Sequence, residues 1–106
     1  MPLVHLPSIA PRHLFPGVAG HYAHGDRTTV GEVLVGADGV VPMHQHPHEQ
    51  VSYVVSGQLE FTVGSDRHVM GPGDCLVIPG GVPHGCRGIT ACRVVDIFSP
   101  AREDYR

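Results

Sequence analysis

Fourteen glycines and ten prolines are spread through the 106 residues of this chain, so a breaker of regular backbone recurs every few positions and long helical periodicity does not fit between them. Between the breaks lie short runs rich in Val, Ile, Thr, Phe and Tyr: VAGHYAH, TTVGEVLV, QVSYVV, QLEFTV, DCLVIP and ACRVVDIFS. Several of them alternate apolar and polar residues, the pattern of a strand with one buried face. Short strands separated by frequent turns predict an all-β fold in which an antiparallel sheet buries one face against another, with a double-sheet jelly roll the favoured version.

The length predicts a single domain over residues 1–106. Residues 1–16 carry Pro2, Pro7, Pro11 and Pro16 and are predicted to form an extended arm on the outside of the fold, available as an edge or dimer strand. A hydrophobic fraction of 42% with 16% charged residues suits a folded globule and not a disordered chain. The net charge of -3 and the absence of lysine argue against a nucleic-acid partner. The opening MPLVHLPSIAPRHLFPG has neither the charge pattern of a signal peptide nor an apolar run long enough to span a bilayer, so no membrane partner is expected and a cytoplasmic address is. Cys75, Cys86 and Cys92 are odd in number and form no CxxC pair; they are read as reduced thiols in core or surface positions.

The candidate chemistry begins at MHQHPHEQ, residues 43–50, where His44, His46, His48 and Gln50 recur at every second position. On one strand all four would share a face, with Gln45 and Glu49 on the other; a turn at Pro47 bears chiefly on His48. Imidazole is the commonest protein ligand for divalent transition metals. A further ligand is available in GDCLVIPGGVPHG, where turn residues lead into His84.

These two segments resemble the paired signatures of the cupin family. The first reads here as His44, His46, Gln50 and Gly57, with Gln50 where glutamate is usual and Gly39 one place from the expected glycine; the second reads as Gly73, Pro79, Gly81 and His84, with Gly88 in the asparagine place. The resemblance covers residues 39–88 and implies a cupin double-stranded β-helix, a jelly-roll barrel with one divalent transition metal in its mouth, held by His44, His46, Gln50 and His84. His48 is read as adjacent to the ligand set, and Glu49 as a ligand only through a local shift of the strand. Nickel, zinc, manganese, iron and cobalt all suit such donors. A neutral amide oxygen in place of a carboxylate leaves the full ionic charge on the metal, which favours Lewis-acid chemistry over redox cycling with dioxygen.

Near the end of the chain, VVDIFSPAREDY gives Asp96 and Phe98 the same strand parity, and Arg102 follows just after Pro100. This segment, with HPHEQ and the glutamine ligand, is similar to the KdgF-type uronate cupins of pectin and alginate degradation. That resemblance implies a pocket lined by Asp96, Phe98 and Arg102, and the conversion of 4,5-unsaturated uronates to open-chain 4-deoxy-5-keto uronates. In it, Asp96 moves a proton, Phe98 forms a dry wall and Arg102 pairs with the carboxylate of a carbohydrate acid. The competing readings pair Asp96 with Arg93 or Arg87, bury Phe98 in the core, and pair Arg102 with Glu103 or Asp104 at the surface. Tyr53, Gln58 and Arg87 are further candidates for the pocket wall. Other functions open to this residue set are an aromatic polyketide cyclase, a sugar- or anion-binding cupin without turnover, and a metal-dependent dioxygenase. Resemblance to small cupins also implies a homodimer.

Overall fold

The computed structural model describes residues 2–106. Ten strands follow in order: β1 Arg12–Phe15, β2 Val18–His24, β3 Thr29–Val35, β4 Val40–His44, β5 Glu49–Ser56, β6 Leu59–Val63, β7 Asp66–Met70, β8 Cys75–Ile78, β9 His84–Gly88 and β10 Cys92–Ser99. Two 3-10 turns, Leu6–Ser8 and Glu103–Tyr105, lie near the ends. The strands make a six-stranded sheet in the order β1-β2-β3-β10-β5-β8 and a four-stranded sheet in the order β4-β9-β6-β7, with every neighbouring pair antiparallel. This is the predicted double-sheet roll. No helix among the described residues is long and apolar enough to cross a membrane.

Strand alternation decides what lies between the sheets. In β5 the even-numbered residues Gln50, Ser52 and Val54 are buried, and in β10 Val94 and Phe98 are. Val54, Val94 and Phe98 form one core with Val18, Val33, Val35, Leu59, Phe61, Met70 and Ile78. The odd residues point outward, so Tyr53, Val55, Val77 and Ile97 stay substantially exposed.

All six apolar runs named from the sequence are strands; β7 and β9, which carry few apolar residues, and β4, which Pro42 interrupts, were not marked by that pattern. The N-terminal arm is not extended throughout, because Leu6–Ser8 closes a turn with Pro7 inside it. Its later part, β1, is the edge strand of the larger sheet, and His21 Nδ1 donates to the Ile9 carbonyl at 2.6 Å to hold the approach.

His44, His46 and Gln50 do not share one strand. β4 ends at His44 in the smaller sheet and β5 begins at Glu49 in the larger one, so residues 45–48 are the crossover between sheets. Pro47 cannot donate to a ladder, and the crossover bonds to the 79–82 turn, with Gly81 N donating to the His46 carbonyl at 2.8 Å. The contact with that turn is close: a Cβ on Gly80 would run into the Pro47 carbonyl.

Candidate metal centre

Four donors reach the barrel mouth from different parts of this scaffold. His44 closes β4 and is the cross-strand partner of His84 at the start of β9, His46 lies in the crossover, and Gln50 is the first inward residue of β5. One ring nitrogen from each of His44, His46 and His84 lies within 4.8 Å of the others.

Backbone carbonyls fix the state of all three rings. A carbonyl oxygen accepts only, so Nδ1 must carry the hydrogen toward Pro42 O at 2.8 Å in His44, toward His48 O at 3.0 Å in His46 and toward Val82 O at 2.9 Å in His84. In its neutral form each ring then presents a bare lone pair at Nε2. Burial holds His84 down to about 4 and also lowers His46, so at neutral pH those two rings are uncharged donors.

Two observations test whether a cation fits. His84 Nε2 is buried with no hydrogen-bond partner, a costly state unless the lone pair has another use. His46 Nε2 lies 3.0 Å from Gln50 Oε1, and with the His46 hydrogen on Nδ1 this contact sets one acceptor against another. The Gln50 amide is oriented by its own nitrogen, which donates to Ser52 Oγ at 3.0 Å. Two lone pairs about 3 Å apart repel each other in isolation and are normal for adjacent ligands of one small divalent ion. The donor set therefore fits a divalent transition metal.

Beside the donors the barrel encloses a cavity of about 90 Å³, whose wall includes His44, Gln50, His84, Asp96, Phe98 and Arg102. All three residues of the carboxyl-terminal segment singled out from the sequence are thus brought to the site. Asp96 is bonded to neither arginine considered for it: Arg93 pairs with Glu32 and Arg87 with Asp38. It accepts from Ser52 Oγ at 2.6 Å, and burial pushes its carboxyl up to about 6.

Arg102 is both an ion-pair partner and a wall residue. Its Nε and Nη2 donate to the two carboxylate oxygens of Asp104 at 3.0 and 2.8 Å, and this pairing holds Asp104 down to about 2. The guanidinium is nonetheless buried, its carbon 4.8 Å from the Phe98 ring centroid and 4.0 Å from that of Tyr105. Asp104 thus takes the Nε edge of the guanidinium.

Tyr53, Gln58 and Arg87 are not on the cavity wall. Outward parity on β5 exposes Tyr53, Arg87 faces Asp38 on the outside, and Gln58 lies in the β5–β6 connection, where its backbone bonds Ile89 and Thr90. His48 stands next to the ligand set and supports it through its carbonyl. Sequence reasoning passed over Ser52 and Tyr105, and read Cys86 only as a reduced thiol. Ser52 was within reach, since it shares the inward parity of Gln50. Cys86 lines the cavity, but burial pushes its thiol up to about 12, which leaves it protonated and inert.

The cupin-domain family profile matches residues 31–98. The chain is a cupin. Dimethylsulfoniopropionate lyase DddQ of Ruegeria pomeroyi is 35% identical to this cupin over 72 residues, which make up 67% of the chain and 35% of the lyase. The chain therefore spans about a third of that relative's length. Among solved structures, KdgF from Halomonas sp. superposes with a TM-score of 0.86 at 30% identity, over 92% of this cupin and 91% of that chain. An RmlC-like cupin from Shewanella frigidimarina gives a TM-score of 0.91 at 27% identity, over 97% and 94% of the two chains.

Proposed function

We propose that this cupin is a metal-dependent isomerase that converts a 4,5-unsaturated uronate to the open-chain 4-deoxy-5-keto uronate. The observation that carries the proposal is the meeting, around one cavity, of a neutral four-donor cation site, the enclosed carboxyl of Asp96 and the guanidinium of Arg102. The likeness to the Halomonas KdgF structure along nearly the whole chain supports the same reading.

The reaction relocates one proton. The hemiacetal hydroxyl on C1 loses its hydrogen, and the bond from C1 to the ring oxygen breaks to give an aldehyde. The ring oxygen becomes an enolate oxygen on C5, and C4 takes a proton as C5 becomes a ketone. Substrate and product are isomers, so no water, oxidant or reductant is consumed. Asp96, pushed up to about 6, is suited to accept the first proton and deliver the second near neutral pH. Arg102 pairs with the substrate carboxylate, and Phe98 keeps water from the ring. A divalent cation held by His44, His46, Gln50 and His84 supplies fixed positive charge against the negative charge that develops on oxygen.

A cavity of about 90 Å³ lies below the roughly 300 Å³ at which ordinary ligand pockets begin. That suits a small substrate with one end in the open mouth and disfavours the fused rings of a polyketide. The partner we propose is a second copy of the chain, covering the outward residues Tyr53, Val55, Val77 and Ile97 that lie together on β5, β8 and β10.

The deciding experiment mixes metal-loaded protein with an unsaturated uronate and follows the ultraviolet absorbance of its conjugated double bond. Decay well above the spontaneous rate is expected, with His46→Ala lowering both bound metal and rate. Metal-loaded protein that leaves the spontaneous rate unchanged would remove this substrate and favour capture without turnover.

A further inference from the structure

Gln50 replaces a glutamate usual at its position in the family signature, and the hydrogen bonds around it give a reason. Gln50 Nε2 donates to Ser52 Oγ at 3.0 Å, and Ser52 Oγ donates to Asp96 Oδ1 at 2.6 Å. Ser52 is fully buried and Gln50 nearly so, so bulk water does not compete for these bonds. A hydroxyl has one hydrogen and two lone pairs. Once that hydrogen is committed to Asp96, only lone pairs are left toward residue 50. An amide nitrogen satisfies them, whereas a carboxylate would set acceptor against acceptor. The direction of the chain is therefore fixed: nitrogen toward Ser52, and Oε1 toward His46 Nε2, 3.0 Å away.

We propose that Ser52 is a positioning residue for the metal centre: by spending its only hydrogen on Asp96 it sets the Gln50 amide so that oxygen, and not nitrogen, faces the cation. This rests on the reading of His44, His46, Gln50 and His84 as a metal site. Ser52 touches neither metal nor substrate in this role. It ties the identity of the donor at position 50 to the residue at position 96, its cross-strand partner by register, so that glutamine at 50, serine at 52 and a carboxylate at 96 form one unit. Without the hydroxyl, only the Asp96 carboxylate remains to draw the amide nitrogen, and the hold that keeps the NH₂ group, which has no lone pair to give, away from the cation is weakened.

The test is Zn²⁺ affinity of the full chain, measured by competition with a chromophoric chelator and therefore independent of turnover. Ser52→Ala is expected to weaken Zn²⁺ binding by about 10- to 100-fold, the usual range for loss of a group that orients a ligand, with an unchanged far-ultraviolet circular dichroism spectrum. Ser52→Cys keeps the side-chain shape with a larger atom and weakens hydrogen bonding, and is expected to shift affinity the same way if the alanine variant folds poorly. A second background separates orientation from packing. In Gln50→Glu both terminal side-chain atoms are oxygens and either can face the cation, so adding Ser52→Ala there should cost less than about threefold in affinity, and the difference between the two backgrounds measures the coupling. Equal losses in both backgrounds, or no loss in the Gln50 protein, would overturn the assignment. Failure of the wild-type chain to bind Zn²⁺ at all would instead bring down the metal centre, and this inference with it.

Discussion

Replacing Asp96 with asparagine should stabilise the metal-free protein while abolishing its chemistry, and the two effects separate by pH. Burial pushes the Asp96 carboxyl from its ordinary 3.8 up to about 6, so the folded chain holds this proton where the unfolded chain has lost it. The stability linked to the protonated form is fully present below pH 3.8 and is lost as pH rises through about 6. A gap of about two pH units at about 1.4 kcal/mol each makes the ionised side chain a penalty of up to about 3 kcal/mol above pH 7. Asparagine carries no such charge and keeps an oxygen to accept from Ser52. Urea unfolding of chelator-treated wild type and Asp96→Asn, from pH 4 to pH 8, should give a difference near zero at the acid end that grows to about 3 kcal/mol in favour of the variant. Turnover by the metal-loaded variant should fall by about 10²- to 10⁴-fold, the usual worth of a positioned proton carrier. A difference that stays constant across this range, or that grows toward acid, would show that Asp96 is solvated and refute the reasoning.

The Arg102 guanidinium packs against the Phe98 and Tyr105 rings and grips Asp104 through two nitrogens; a lysine cannot copy that fork. Arg102→Lys should raise the KM for a uronate by about 10-fold or more, with a smaller change in kcat, read by steady-state kinetics. Gly57 has φ +80°, and a Cβ there would meet the Ala91 carbonyl, whereas Gly81 has the same φ with open space around it. Gly57→Ala should therefore cost about 2 kcal/mol or more and Gly81→Ala about 1 kcal/mol, compared by thermal unfolding. A Tyr53→Lys/Val77→Lys variant puts charge on the outward sheet face and should halve the mass seen by light scattering if a second copy covers it.

Local chemistry alone determined much of this protein. Period-2 runs between glycines and prolines mark six of the ten strands, because alternation is dictated by the pleat and needs no knowledge of the partner strand. The same parity rule carried Asp96 and Phe98 to one cavity, since residues two apart on a strand share a face. What failed was parity drawn across Pro47. His44 and His46 look like neighbours on one strand, yet the chain changes sheets between His44 and Glu49, and only the packing of residues 45–48 against the 79–82 turn aims both rings at one point.

The remaining decisions are tertiary because they depend on contacts between residues far apart in the chain. His44 opposes His84 across a ladder, and Ser52 reaches Asp96 across another. The direction of the Gln50 amide follows from where a single hydroxyl hydrogen goes. The Arg102 guanidinium is buried because the Phe98 and Tyr105 rings, set at right angles to each other, both pack against it, although its neighbours Glu103 and Asp104 suggest a surface pair. Residue types supply donors, acceptors and charge, but which lone pair faces which is decided only when the two sheets meet and exclude water.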